Sequence, residues 1–239
     1  MTPSDGYTRI LVAMAHPDDV DYGAAGTVAL WTRAGVEVVY CVVTDGAAGS
    51  EDPLADREAL AALRREEQLV AARIAGVARV TFLGYPDGAV QPDLGLRRDL
   101  SRVIRTVRPD LVVTHSPERN LVRVKASHPD HRAVGAAVLD AVYPDARNPS
   151  AYPELITREG LAAWTVPEVW MRGGPVSDRY VEISETFAVK MAAIRAHRSQ
   201  GELDPEFDEV MRGRLAAIAQ AAGLPAGSIA EAFQMVDSS

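Results

Sequence analysis

Cysteine is nearly absent: Cys41 is the one thiol in 239 residues. Without a second thiol there is no intramolecular disulfide and no cysteine-rich zinc site, so any metal this chain binds is held by histidine and carboxylate. Long apolar runs are missing too. No stretch approaches the ~18 consecutive apolar residues of a membrane-crossing helix, and the start, Met1 to Gly6, has no basic segment leading into an apolar one. Basic charge is in deficit, with 25 Lys+Arg against 33 Asp+Glu and a formal net charge of −8. That is the wrong sign for a general nucleic-acid binder, which neutralises phosphates with a basic stripe. What is present, 47% hydrophobic and 24% charged residues, suits a globular protein with a sizeable core and not a disordered chain. We expect a cytoplasmic protein with no nucleic-acid partner and no membrane span. A single domain over 1–239 is expected, with residues 1–7 and 237–239 flexible, and assembly into a homo-oligomer is left open.

Apolar, β-branched runs alternate with helix-patterned segments. Arg9 to Ala15 reads as a buried strand stopped at His16-Pro17, where proline removes a backbone donor. Tyr22 to Ala34 is a helix closed by Gly35, and Val36 to Val43 is a second strand. Asp56 to Ala75 is a long helix capped by Asp56, with Leu60, Leu63, Val70 and Ile74 as its apolar positions. Arg79 to Leu83, Leu96 to Val107 and Leu111 to Thr114 continue as strand, helix and strand. Beyond them the pattern weakens: a helix over Asp130 to Val142, strands at Val166 to Met171 and Arg179 to Ile183, and a helix from Glu185 to Arg198 capped by Ser184. Two C-terminal helices are expected, the second opened by a capping box of Ser228 and Glu231. The alternation predicts an α/β fold, a Rossmann-like, mostly parallel sheet flanked by helices. In such sheets ligands bind beyond the carboxyl ends of the strands, and His16, Asp45, Asp87 and His115 each follow a predicted strand. Specificity is expected in the loops 47–55 and 140–167.

The chemistry-bearing residues form two related motifs. Ala15-His16-Pro17-Asp18-Asp19 ends the first strand, and Ser127-His128-Pro129-Asp130-His131 follows the fourth. A single His-Pro-Asp is usually a plain helix entry, with proline at the first helical position and aspartate as cap. Two copies on one rim, one extended by an aspartate and the other by a histidine, supply the two-histidine, one-carboxylate inventory of a catalytic zinc site with room for water. Asp18 and Asp19 cannot both be ligands from one extended turn. One binds metal, and the other serves as general base on the metal-bound water. Arg64 and Glu67, three apart on a helix, read either as a surface ion pair or as a substrate contact and its support. Asp87 is a turn aspartate or a site residue, and His115 is a solvated loop histidine or a prop behind a ligand. No Gly-x-Gly-x-x-Gly follows the first strand, which excludes a nucleotide-binding phosphate loop there.

These motifs, with the small-residue stretch Asp21 to Thr27 between them, resemble the PIG-L/LmbE-like zinc deacetylases. That family includes enzymes that deacetylate N-acetylglucosaminyl conjugates in mycothiol and bacillithiol biosynthesis and in GPI-anchor assembly. The resemblance runs from about Arg9 through the segment Lys190 to Gln200, whose His197-Arg198-Ser199-Gln200 is similar to the family's His-x-Ser-Gln tail. It implies that His16, Asp19 and His131 bind Zn2+, with other divalent metals such as Fe2+ as substitutes. It also implies that Asp18 is the general base, that His128 acts as an imidazolium on the substrate's carbonyl oxygen or leaving amine, and that Arg64 and Asp87 contact the substrate, a small-molecule N-acylated sugar conjugate. The family's oxyanion-holding tyrosine has no clear counterpart; Tyr143 and Tyr152 qualify by location alone. The implied activity is removal of an N-acetyl or other N-acyl group from an amino sugar. The alternative is a metal-containing carbohydrate-binding or regulatory protein without turnover, against which the presence of Asp18 argues.

Overall fold

The computed structural model describes residues 6–201 and 204–239. Its strands are Arg9–Met14 (β1), Glu37–Thr44 (β2), Arg79–Tyr85 (β3), Leu111–His115 (β4), Glu168–Arg172 (β5), Arg179–Glu182 (β6) and Ala230–Asp237 (β7). They form one seven-stranded sheet in the order β3-β2-β1-β4-β5-β7-β6. β1 to β5 pair in parallel, and β7 runs antiparallel to both β5 and β6. The helices are Asp19–Arg33 (α1), Arg57–Ile74 (α2), Leu94–Val107 (α3), Pro129–Asp140 (α4), Pro153–Thr157 (α5), Phe187–Ile194 (α6) and Phe207–Ala221 (α7). None of the described helices is long and apolar enough to cross a membrane.

Helices cover both faces of the sheet, which explains why β1 reads as an unbroken apolar run. Ile10, Val12 and Met14 join a core with Val28 and Trp31 of α1, Met191 of α6 and Leu215 of α7. The alternate residues Leu11, Ala13 and Ala15 pack on the other face with Leu100 and Ile104 of α3 and Val138 of α4. Strand order reverses between β1 and β4, with β2 and β3 on one side and β5 on the other. That switch point opens a crevice beyond the strand ends, and His16 and His115 both lie on its rim. α4 comes very close there: a Cβ on Gly135 would fall 2.3 Å from the His115 carbonyl oxygen. Gly135→Ala therefore has to push α4 off β4, and we expect a loss of about 1–3 kcal/mol in urea unfolding. An unchanged midpoint would show that the approach is slack.

Several expectations change. α2 is turned from its predicted face: Leu63, Val70 and Ile74 are exposed, while Arg64, Glu67, Gln68, Ala71 and Ala72 are buried. Small side chains decide part of this, because Ala71 packs with Ala25 of α1 and Ala193 of α6, and polar contacts described below decide the rest. Ser228 and Glu231 do not open a helix; the segment is strand β7, sandwiched between β5 and β6, where ladder pairing overrides the local capping signal. Ser184 makes no cap, and a 3-10 turn, Ser184–Thr186, precedes the shorter α6.

The chain end expected to be flexible is tied down: Asp237 pairs with Glu168, and the Ser238 amide donates to Pro167 O. Residues 1–5 of the expected flexible start lie outside the described residues, and Tyr7 packs edge-on against Trp170. The proline-rich stretch expected to set specificity is fastened to α3 and to the turn before β4. Buried Arg105, in the last turn of α3, donates to the carbonyls of Ala146, Asn148 and Ala151, and Trp164 Nε1 donates to Pro109 O just before β4.

Candidate active site

The turn after β1 is held in a conformation few residues accept. Asp18 has φ 94°, a left-handed region that costs a residue with a side chain about 1–3 kcal/mol and persists where neighbours enforce it. Arg64 Nη2 donates to Pro17 O at 2.7 Å and Nη1 to Gly46 O at 2.9 Å. The Asp18 amide donates to Gln68 Oε1 at 2.8 Å, and the Asp18 carbonyl accepts from the amides of Asp21 and Tyr22. Asp18 directly precedes α1, yet its side chain makes no capping hydrogen bond. The plain helix-entry reading thus fails for this residue, whose carboxylate is left for other work 3.5 Å from Arg64 Nη2. Burial, reinforced by the neighbouring charge of Asp19, pushes its pKa up to about 7.

Beside it three donor atoms converge. His16 Nδ1 lies 3.2 Å from Asp19 Oδ2 and 3.2 Å from His131 Nε2, and His131 Nε2 lies 3.1 Å from Asp19 Oδ1. The other nitrogen of His16 fixes its ring: Nε2 lies 3.1 Å from Asp87 Oδ1 and 3.2 Å from Asp130 Oδ2, so it keeps its proton, and Nδ1 is the nitrogen that would exchange a proton for a metal. Burial opposes a charge on His16, but the carboxylates of Asp19 and Asp87 outweigh it and push its pKa up to about 11. The pocket is thus strongly negative at this ring, a field that favours a cation. Asp19 is held ionised well below the usual carboxylate range. Its burial works the other way and is overcome by His131 and His115.

Two other groupings of metal-ligating residues share this cluster: Asp19 with His115 and His131, and His16 with Asp87 and Asp130. Their additional members are already committed. His115 Nε2 accepts the Ala15 amide at 3.1 Å, and its ring stacks on His131 with centroids 3.9 Å apart. Burial holds its pKa down at about 3, so it is a neutral prop and not a solvated loop histidine. Asp130 accepts the amides of Gly88 and Val90, and Asp87 accepts that of Ala48. A third grouping adds His128 to His16 and His131. His128 caps α4, its Nδ1 accepting the Asp130 amide at 3.2 Å, so its free nitrogen is Nε2. Burial, then the neighbouring rings of His16 and His131, lower its pKa. Those shifts favour a neutral ring with Nε2–H, in place of the imidazolium the resemblance implied.

The structure therefore brings His16, Asp18, Asp19, Asp87, His128 and His131 to one crevice. Arg64, only 3% exposed, ties the Pro17 and Gly46 turns and stands beside Asp18 and Asp87. It does not pair with Glu67, which accepts from the amide and hydroxyl of Ser199. Tyr143 and Tyr152 are not part of the crevice: Tyr143 is exposed beside Arg147, and the Tyr152 hydroxyl bonds Leu94 O and Asp145.

Sequence reasoning missed a buried polar chain behind Asp18. Gln68, which holds the Asp18 amide, donates from Nε2 to Asp21 Oδ2 at 3.0 Å, and the same oxygen lies 2.7 Å from His197 Nε2. Lys190 Nζ donates to the carbonyls of Asp21 and Tyr22 and to Glu231 Oε1, pinning the start of α1. Two signals were available: the Lys190 to Gln200 segment, singled out by resemblance but given no role, and a lone charge, Glu231, set among Ile229, Ala230, Ala232 and Phe233.

A mostly parallel α/β sheet with a histidine and carboxylate cluster at its switch point defines a candidate metal site of the hydrolase kind on a Rossmann-like scaffold. The PIG-L family, described as GlcNAc-PI de-N-acetylase, matches residues 11–142, and the chain belongs to that family. A diacetylchitobiose deacetylase of Thermococcus kodakarensis is 31% identical over 83% of this chain and 72% of its own length. A probable N-acetyl-alpha-D-glucosaminyl L-malate deacetylase 2 of Bacillus cereus is 33% identical over 81% of this chain and 84% of its own. The solved structure of N,N'-diacetylchitobiose deacetylase from Pyrococcus horikoshii, in complex with an inhibitor, superposes with a TM-score of 0.89. It is 27% identical and covers 100% of this chain and 87% of its own.

Proposed function

We propose that this protein is a metal-dependent N-deacetylase that removes an acetyl, or another acyl, group from the nitrogen of an amino-sugar-containing substrate. The observation that carries the reading is the convergence of His16 Nδ1, Asp19 and His131 Nε2 at 3.1–3.2 Å beside an uncapped Asp18. Four ligands at 2.0–2.1 Å from a tetrahedral zinc stand ~3.3 Å apart, so the donor set and its spacing fit that ion. Iron(II) accepts the same donors. The names of the three relatives given above, deacetylases of N-acetylated sugars, support the substrate class.

His16, Asp19 and His131 hold the metal in this reading. When bound, the dication polarises the amide carbonyl and makes its water a better acid. Asp18 takes the proton from the attacking water as the new C–O bond forms, then returns it to the amine nitrogen as the C–N bond breaks, giving acetate and a free amine. Arg64 holds the Pro17 turn so that Asp18 keeps its strained position. His128 Nε2–H donates a hydrogen bond to the substrate's carbonyl oxygen or leaving nitrogen. Asp87 and Asp130 hold His16 by its Nε2–H.

The test is release of free amine from a panel of N-acetylglucosaminides, before and after chelation and metal add-back. We expect amine that disappears with the chelator and returns with zinc. His131→Ala is expected to lose both metal and turnover. A fully metal-loaded protein that releases no amine from any acylated sugar would overturn the reading in favour of a binding protein.

A further inference from the structure

A second polar cavity, of about 280 Å³, opens beside the crevice between the start of α1, the loop at 120–126, the loop after β5 and α7. Three arginines line it: Arg123, Arg172 and Arg214. None of their guanidinium groups has a hydrogen-bond or ion-pair partner among the described residues. This is unexpected in a chain with a net charge of −8. Arg172 is the informative one. It ends β5 opposite His115, and its guanidinium lies against α1 where Gly23 makes room: a Cβ there would fall 2.2 Å from Arg172 Nε. Burial lowers its pKa, and the nearby Arg123 lowers it further, while Asp19 and Glu231 act in the opposite direction. The acid among the lining residues, Glu231, is taken by Lys190 and by the amides of Gly26 and Thr27. The outer wall is braced by Asn120, whose Nδ2 donates to Gly174 O at 2.8 Å and whose Oδ1 accepts the Arg123 amide.

The half-buried Arg172 guanidinium reaches this cavity with no protein acceptor among the described residues, between two exposed arginines, so an anionic ligand there gains charge-assisted hydrogen bonds that the protein itself does not supply. We propose that this cavity is a binding site for an anionic group, a carboxylate or a phosphate, clamped by Arg172 with Arg123 and Arg214. The anion is either a substituent of the acylated sugar, reaching over from the crevice, or a free small molecule. The binding claim stands apart from the proposed activity; only its assignment to the substrate rests on that reading.

The test is calorimetric titration of the metal-loaded protein with inorganic phosphate at fixed ionic strength. We expect saturable binding, weakened about tenfold or more in Arg214→Ala and in Arg172→Gln, since each removes a charge-assisted hydrogen bond. Arg214 is exposed on α7, so its variant does not depend on refolding of the core. His131→Ala, which removes a proposed metal ligand, should leave phosphate binding unchanged. Binding that is absent in the wild type, or that vanishes with His131→Ala and ignores both arginine variants, overturns the proposal. Its source is read from kcat/KM for N-acetylglucosaminides with a carboxylate-bearing or a neutral aglycone. A preference for the anionic one, lost in Arg214→Ala, assigns the cavity to the substrate. Equal rates, with phosphate binding still lost in that variant, assign it to a free anion.

Discussion

Asp18→Asn is expected to lower turnover by about 100- to 10,000-fold, the range typical of a lost general base, with the metal content of the purified protein unchanged. Asparagine keeps the shape of the side chain and tolerates the left-handed backbone at φ 94°. The substitution removes the proton acceptor and little else. The same assignment has a pH signature. The base works ionised, so kcat/KM rises with pH through the pKa of Asp18 and then levels off. Burial and the charge of Asp19 place that pKa at about 7 in the metal-free protein, and a bound dication moves the rise to lower pH. In Asp18→Asn the rise should vanish together with the rate. A variant that keeps the wild-type rate ends the base assignment; one that loses its metal shows that Asp18 holds the site together instead.

Lys190→Met is expected to destabilise the protein by about 3–5 kcal/mol, the cost of leaving one member of a buried ion pair alone. Lys190 is fully buried and Glu231 nearly so, and their contact is 2.7 Å. Without Lys190, the Glu231 carboxylate keeps the Gly26 and Thr27 amides but loses its counter-charge, and two carbonyls at the start of α1 lose their donor. The double variant Lys190→Met, Glu231→Gln should recover part of the loss, because it removes the uncompensated buried charge, although the one amide oxygen can accept from only one of the Gly26 and Thr27 amides. Urea unfolding of the single and double variants measures this directly. A single-variant cost below about 1 kcal/mol would show that the pair is more solvated than its burial indicates.

The crevice was legible in the sequence because its parts are local. A strand that stops at His16-Pro17 places its next two carboxylates at the strand end, and the second motif does the same at the start of α4. Even Asp56 as the cap of α2 could be read, and it does accept the Glu58 and Ala59 amides. What could not be read depends on partners far apart in the chain. Gln68 reaches Asp18 across 50 residues, and His197 reaches Asp21 across 176. These bonds turn the polar side of α2 inward, against the apolar spacing that pointed Leu63 and Val70 to the core. Asp130 could be placed near the metal from its motif, but nothing in its own segment shows that it accepts the Gly88 and Val90 amides and holds His16. The β7 segment failed for a related reason: a capping box is a local preference, while a strand between two partners is decided by the sheet.

The central claim is that one metal sits on His16, Asp19 and His131, with Asp18 beside it. Diffraction from zinc-loaded crystals at the metal absorption edge tests this most directly. The account predicts a single anomalous peak bonded to His16 Nδ1, an Asp19 carboxylate oxygen and His131 Nε2, with the Asp18 carboxylate unbound. A peak bonded to His115, or lying between Asp87 and Asp130 on the far side of the His16 ring, would contradict it.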